Sequence, residues 1–232
     1  MAEGCLLYYI TDRTAFGADE ATRRRRLLDK IAEAARAGVN YIQLREKDLP
    51  TRELEMLARE AAKAVREASK LAPNPWPLTP ALLINSRTDI ALAAGADGVH
   101  LRSDDITPRE VRAIWEKCGA GASARELSPR EPPIGLSCHS PEEVKQAEAN
   151  GATFAVFAPV FEKKKLPKAD PAGLTQLHEV CKVKIPVLAL GGVTLENAKS
   201  CLDAGASGIA AIRLFQENEI AETVASLRRI PL

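Results

Sequence analysis

The sequence predicts an α/β fold built as a single (β/α)8 barrel, and three observations carry that expectation. First, one pattern recurs four times: Ala37-Gly38-Val39-Asn40-Tyr41-Ile42, Ala94-Gly95-Ala96-Asp97-Gly98-Val99, Asn150-Gly151-Ala152-Thr153-Phe154-Ala155 and Ala204-Gly205-Ala206-Ser207-Gly208-Ile209. In each, a helix ends at a glycine and an apolar strand begins two or three residues later. Second, those glycines lie 57, 56 and 54 residues apart, too far for one βα unit and right for two. Third, four more strand-like runs fall in the gaps: Leu6–Ile10, Ala81–Ile84 after Pro80, Ile134–Cys138 after Pro133 and Val187–Leu190 after Pro186. Eight strands, each followed by a helical pattern, give the arithmetic of a TIM barrel over residues 1–232. A doubly wound open sheet is the competing fold. The even spacing favours closure, and no G-x-G-x-x-G follows the first strand.

Leu6–Ile10 follows Met1-Ala2-Glu3-Gly4 almost directly, so no signal peptide is expected and the chain is assigned to the cytoplasm. Helical patterns run over about 19–37, 51–70, 87–94, 107–117, 141–150, 171–182, 195–204 and 213–229. The first contains Arg23–Arg26, read as a solvated face. Pro73–Pro80 and Gly119–Pro133 each join a helix to the next strand. They therefore belong to the N-terminal end of the barrel and read as spacers. Ser140 stands where an N-cap belongs, ahead of Glu142-Glu143. In the seventh unit, Pro186–Leu190 reads as a strand, Gly191-Gly192 as a turn, and Thr194 as the lead-in to a helix ending before Ala204-Gly205-Ala206. Bare glycines there let backbone N–H groups approach an anion; a tight turn without a ligand is the competing reading.

Hydrophobic residues make up 46% of the chain and aromatics only 4%, so the core must be aliphatic and alanine-rich. With 32 basic and 31 acidic residues the net charge is +1, which argues against a general nucleic-acid or membrane-surface binder and leaves room for a local basic pocket. No apolar run approaches the ~20 residues of a membrane span. The five cysteines, Cys5, Cys118, Cys138, Cys181 and Cys201, form no C-x-x-C pair. Buried thiols in a reducing compartment are expected, not disulfides or a structural zinc.

In a barrel of this kind, chemistry sits where strands end and helices begin. Strand two ends Gln43-Leu44-Arg45-Glu46-Lys47-Asp48, and alternation puts Gln43, Arg45 and Lys47 on one side, initially toward the interior. Two cations at a barrel rim are costly unless an anion meets them, and an arginine fork with a lysine suits a phosphate or diphosphate. An ion pair with Glu46 or Asp48 is the alternative. Asn85 and Arg87 close strand three, and Arg102, Asp104 and Asp105 follow strand four. Strand five ends Ser137-Cys138-His139, making His139 a candidate acid–base or an orienting residue. His100 reads as structural and His178 as a surface residue. The loop after strand six carries Lys163, Lys164, Lys165 and Lys168, either a lid over phosphate or a solvated lysine run. Strand eight ends Ile212-Arg213. The rim cations Arg45, Lys47, Arg87, Arg102 and Arg213, with Asp12, Asp104 and Asp105 as counter-charges, imply a small phosphorylated substrate.

Tyr9-Ile10-Thr11-Asp12, Gln43-Leu44-Arg45-Glu46-Lys47, Ala94–Leu101, Gly135–Ser140, Ala158-Pro159-Val160-Phe161, Ala189–Thr194 and Ala204–Ile209 follow, in order, motifs of one family. The chain resembles the thiamin phosphate synthase/TenI family nearly end to end. The resemblance implies an enzyme that joins a hydroxymethylpyrimidine diphosphate to a thiazole phosphate, releasing diphosphate by a dissociative route. By it Gln43, Arg45, Lys47, Asn85 and Ser137 would hold the pyrimidine diphosphate. Gly191-Gly192 and the Ile212-Arg213 backbone would hold the thiazole phosphate. Magnesium would bind Asp105, although Ser86 stands where synthases usually carry a second aspartate. The lid departs as well, with Lys163-Lys164-Lys165-Leu166 in place of Thr-x-Thr-Lys. Lys163 is expected at the substrate and Lys165 or Lys168 at a phosphate, Lys165 being the expected catalytic lysine. The family's second branch, the thiazole tautomerases, needs no metal, and its catalytic histidine matches His139. A non-catalytic barrel binding phosphorylated ligands is the third reading. The implied partners are small phosphorylated pyrimidine and thiazole compounds, with no nucleic acid and no membrane; assembly into a homo-oligomer is left open.

Overall fold

The computed structural model describes residues 4–17, 19–71, 80–119, 131–162 and 171–231. Eight parallel strands, β1 (Leu6–Ile10), β2 (Tyr41–Leu44), β3 (Ala81–Asn85), β4 (Gly98–Leu101), β5 (Ile134–Cys138), β6 (Phe154–Phe157), β7 (Val187–Ala189) and β8 (Gly208–Ala211), pair in sequence order. β8 pairs back onto β1, with Leu6 opposite Gly208 and Tyr9 opposite Ala211, which closes the barrel. Closure removes every sheet edge and sends all eight strand C-termini to one rim. The four repeat glycines do what the pattern predicts: Gly38, Gly95, Gly151 and Gly205 take φ of +83°, +64°, +77° and +100°, a region that costs a residue with a Cβ.

The helices are α1 (Glu20–Arg36), α2 (Thr51–Leu71), α3 (Thr88–Ala94), α4 (Pro108–Gly119), α5 (Pro141–Ala149), α6 (Gly173–Val180), α7 (Ala198–Asp203), α8 (Arg213–Gln216) and α9 (Ile220–Arg228). Ser140 caps α5 as expected, its Oγ accepting from Glu143 N at 3.2 Å. Three local expectations are corrected. The helix of the seventh unit begins at Ala198 and not at Leu195. Asn197 Oδ1 accepts from Thr194 N and holds the intervening residues in a turn. The last helical pattern divides into α8 and α9, because Glu33 Oε1 accepts from Ile220 N and starts a new helix there. A 3-10 turn, Arg13–Phe16, follows β1 where no element was expected. The Arg23–Arg26 run is more than a solvated face: Arg23 and Arg26 reach back to the carbonyls of Gly17 and Phe16, and Arg24 pairs with Glu60 on α2.

Two apolar layers follow from strand alternation. Outward-facing strand residues pack under the helices with Leu27, Ile31, Leu57, Ala58, Ala61 and Leu177, all buried. Inward-facing Leu6, Tyr8, Ile10, Leu83, Phe154, Val156, Leu188 and Ala210 fill the barrel. Tyr41 stacks on Phe154 at 4.6 Å between centroids, and Tyr8 meets Phe154 edge-on at 5.3 Å. Gly135 makes the space for this, since a Cβ there would lie 2.6 Å from the Phe154 ring. The floor below the rim is therefore solid.

Cys5, Cys138 and Cys201 are buried free thiols, as expected, whereas Cys181 is half-buried and Cys118 exposed. Burial pushes Cys138 and Cys201 up to about 12, so neither offers a thiolate. Among the described residues no helix is long and apolar enough to cross a membrane.

Candidate active site

The strand ends of β2 to β5 build a polar layer directly above the apolar filling. Gln43, 1% exposed, donates from Nε2 to Asn85 Oδ1 at 2.9 Å. Asn85 lies opposite His100 in the β3–β4 register, and His100 Nε2 meets Ser137 Oγ at 2.8 Å. Desolvation, helped by the nearby Arg45 charge, lowers His100 to about 3. His100 is therefore a neutral ring at physiological pH, a holder of the Ser137 hydroxyl and not an acid–base. Gln43 Oε1 and His100 Nδ1 are buried with no hydrogen-bond partner among the described residues. An unmet buried acceptor costs free energy until a ligand N–H or a water meets it.

Above this layer stand the cations. Arg45 is half-buried and Lys47 exposed, because β2 ends at Leu44 and strict alternation ends with it. They remain close enough to feel each other: the Arg45 charge, then burial, then Arg102 hold Lys47 below the ordinary lysine range. The alternative of pairing with Glu46 or Asp48 is not what forms. Both acids go to Arg13, at 3.4 Å and 2.6 Å, and Glu46 also accepts from Thr11 Oγ1 at 2.6 Å and Arg13 N at 3.1 Å. Two other rim arginines are compensated locally, Arg87 by Asp89 and Arg102 by Asp104, while Arg213, across the rim after β8, makes no ion pair among the described residues. Among the described residues Arg45 and Lys47 make no ion pair. Asp12 is corrected as a counter-charge: its side chain caps the 3-10 turn through Thr14 N. Asp105 is half-buried, and its Oδ2 accepts from Arg102 N at 2.8 Å.

His139 is exposed at the end of β5. Glu143 Oε2 accepts from its backbone N at 2.5 Å, and its ring Nδ1 donates to Ala158 O at 2.7 Å. A carbonyl can only accept, so the neutral ring carries its proton on Nδ1 and keeps Nε2 as a base.

Gly191 and Gly192 take φ of +99° and +66°. Bare amides are only part of the reason for glycine. A Cβ on Gly191 would lie 2.8 Å from Pro159 Cα, and one on Gly192 would lie 2.7 Å from Phe161 Cβ and 2.8 Å from Glu162 O. The β6 loop thus packs onto this turn, and Phe161 N donates to Gly191 O at 3.0 Å. Asn197 Nδ2 takes Gly192 O at 3.0 Å. In planar trans peptides the N–H groups of Gly192 and Val193 then point away from those partners. Ile212 precedes α8, and Arg213 is exposed. Lys163, Lys165 and Lys168 lie outside the described residues.

Four residues assemble the rim in a way the sequence did not indicate: Thr11, Arg13 and Gln216 had no assigned role, and Glu46 was read only as a possible partner of the rim cations. Thr11, Arg13 and Glu46 bolt the end of β1 to the end of β2. Gln216, the last residue of α8, ties that helix to the end of β1 by donating to Asp12 O at 2.6 Å and accepting from Tyr9 Oη at 3.0 Å and Asp12 N at 3.1 Å. The burial of Arg13 carried no sequence signal, because its partners lie on other elements.

A closed eight-stranded barrel with an unpaired arginine and lysine over a polar floor belongs to the class of barrel enzymes. The family model described as thiamine monophosphate synthase matches residues 7–215. The chain belongs to that thiamine monophosphate synthase/TenI family. A thiamine-phosphate synthase of Roseiflexus castenholzii is 38% identical over 213 residues, covering 89% of this chain and 79% of that one. One of Syntrophomonas wolfei is 37% identical over 227 residues, covering 97% and 95%. The solved thiamine phosphate pyrophosphorylase of Pyrococcus furiosus superposes with a TM-score of 0.73 at 29% identity, covering 98% of this chain and 96% of that one.

Proposed function

We propose that the protein is a thiamin phosphate synthase, coupling hydroxymethylpyrimidine diphosphate to thiazole phosphate with release of diphosphate. The observation that carries this reading is the uncompensated Arg45–Lys47 pair, whose neighbouring acids are occupied by Arg13. Arg45 and Lys47 hold the diphosphate and meet the charge that develops as it leaves, an electrostatic contribution that dominates reactions of this kind. Gln43, Asn85 and Ser137 hold the pyrimidine. The unmet Gln43 Oε1 accepts an N–H of that heterocycle, and neutral His100 keeps the Ser137 hydroxyl in place. The β7 and β8 loops take the thiazole phosphate, Gly191-Gly192 and Ile212 through the backbone and Arg213 by its charge. Barrels commonly seat phosphate at these loops.

The donor set fits a magnesium ion brought in on substrate. Among the described residues no group of three or more potential ligands forms a cage, and Asp105 has an oxygen to spare. Magnesium commonly binds through one or two carboxylates with substrate phosphates and waters. Asp105 would hold it, and the ion would supply positive charge toward the diphosphate leaving group.

A second reading, metal-free tautomerisation of a thiazole phosphate, is favoured by one observation: His139 keeps Nε2 as an exposed base. One assay separates the two. With both substrates, the purified protein is expected to release diphosphate, and a chelator to stop it. No release, together with metal-free isomerisation of the carboxylated thiazole phosphate that His139→Ala abolishes, would establish the tautomerase instead. Failure of both reactions, with thiazole phosphate still raising Tm, would leave a binding barrel.

A further inference from the structure

We propose that Arg13 is a positioning residue of the diphosphate site: it engages Glu46 and Asp48, the two carboxylates that flank Lys47, and so leaves Arg45 and Lys47 free to bind substrate. The proposal rests on the reading of the rim as an anion site. Along Arg45-Glu46-Lys47-Asp48, cations and acids alternate, and side chains this close would ordinarily neutralise one another. Arg13 prevents it. Its side chain is 4% exposed, and it reaches Asp48 Oδ1 at 2.6 Å and Glu46 Oε2 at 3.4 Å through Nη1 and Glu20 Oε1 at 2.8 Å through Nε.

The same knot sets the backbone. Glu46 accepts from Thr11 Oγ1, and that oxygen in turn accepts from Arg45 N at 3.0 Å. The peptide carrying Arg45 is thereby tied to the end of β1. Only arginine satisfies this geometry, because its planar fork offers donors in several fixed directions while a lysine ammonium is one point of charge. Asp48 is the shorter contact and the strongest influence on Arg13, though it is solvent-exposed and screened by salt; the longer contact with Glu46 is buried.

Calorimetric titration with inorganic diphosphate tests this on the parent chain, on Arg13→Met, and on the triple variant Arg13→Met/Glu46→Gln/Asp48→Asn. The single variant is expected to bind diphosphate roughly tenfold more weakly, as uncompensated charges of the wrong sign beside a binding site do. The triple variant, with the acids neutralised, is expected to recover to within about threefold of the parent even where its Tm stays low. In steady state the KM for the pyrimidine diphosphate rises in the single variant, while that for thiazole phosphate holds. If Arg13→Met does not fold, Arg13→Lys replaces it, with weakening of about threefold expected. Unchanged binding in the single variant overturns the proposal. So does a triple variant as weak as the single one, since Arg13 would then act by shape alone. A parent chain that does not bind diphosphate would instead reject the anion-site reading and the proposal with it.

Discussion

Replacing Arg45 with alanine is expected to lower kcat/KM for the pyrimidine diphosphate by roughly 100- to 1,000-fold with the fold intact, the usual cost of losing a preorganised group at developing charge. Two features make this a clean substitution. Arg45 is half-buried and is not among the ion-paired residues, so truncation strands no buried acid. It also removes the largest influence lowering Lys47. The pH dependence carries the second half of the test. Bound diphosphate favours charged Lys47 and raises its pKa. Affinity is therefore full below the Lys47 value of the free protein and falls as pH rises through it, from a point below the ordinary lysine range. In Arg45→Ala that alkaline fall is expected to move to higher pH, toward the value of an isolated lysine. A profile of 1/KM against pH for parent and variant reads both effects. An unmoved alkaline limb would mean that Lys47 does not face the diphosphate.

Gly192→Ala is expected to raise the KM for thiazole phosphate at least tenfold and to leave that for the pyrimidine diphosphate near the parent value. The added methyl would have to occupy space held by Phe161 Cβ and Glu162 O, at 2.7 and 2.8 Å, from a backbone at φ +66° that already disfavours a Cβ. Overpacking of this sort costs ~1–3 kcal/mol, and the turn relieves it by shifting. A shift of about 1 Å in a substrate-holding loop is enough for a large kinetic loss. Among the described residues no hydrogen bond joins the side chains of Gln43, Asn85, His100 and Ser137 to this turn, which is why the two KM values should separate. Equal losses for both substrates would place the phosphate elsewhere.

The barrel was legible because its signal is local and repeated. Each unit ends a helix with a glycine that needs positive φ, and Gly38, Gly95, Gly151 and Gly205 all adopt it. The rim residues were legible for a similar reason: Arg45, Lys47, Asn85, Ser137 and His139 stand at strand ends, where their polarity interrupts apolar runs. Legibility ended where partners are distant in the chain. Arg13 reads as one more surface arginine until Glu46 and Asp48 fold onto it. Gln216 reads as a helical residue until the closing barrel brings it to Tyr9 and Asp12. The break between α8 and α9 depends on Glu33 of α1, which periodicity within 213–229 could not register. At Gly191-Gly192 the residue type was read correctly and its cause only in part, since the crowding comes from the β6 loop.

A crystal structure of the protein with thiamin phosphate and diphosphate bound tests the central claim most directly. Diphosphate oxygens are expected within hydrogen-bonding distance of Arg45 and Lys47, with Asp105 facing the same anion and the ester phosphate against the Gly192 turn. Diphosphate seated away from Arg45 and Lys47, or a phosphate lying far from Gly192, would contradict it.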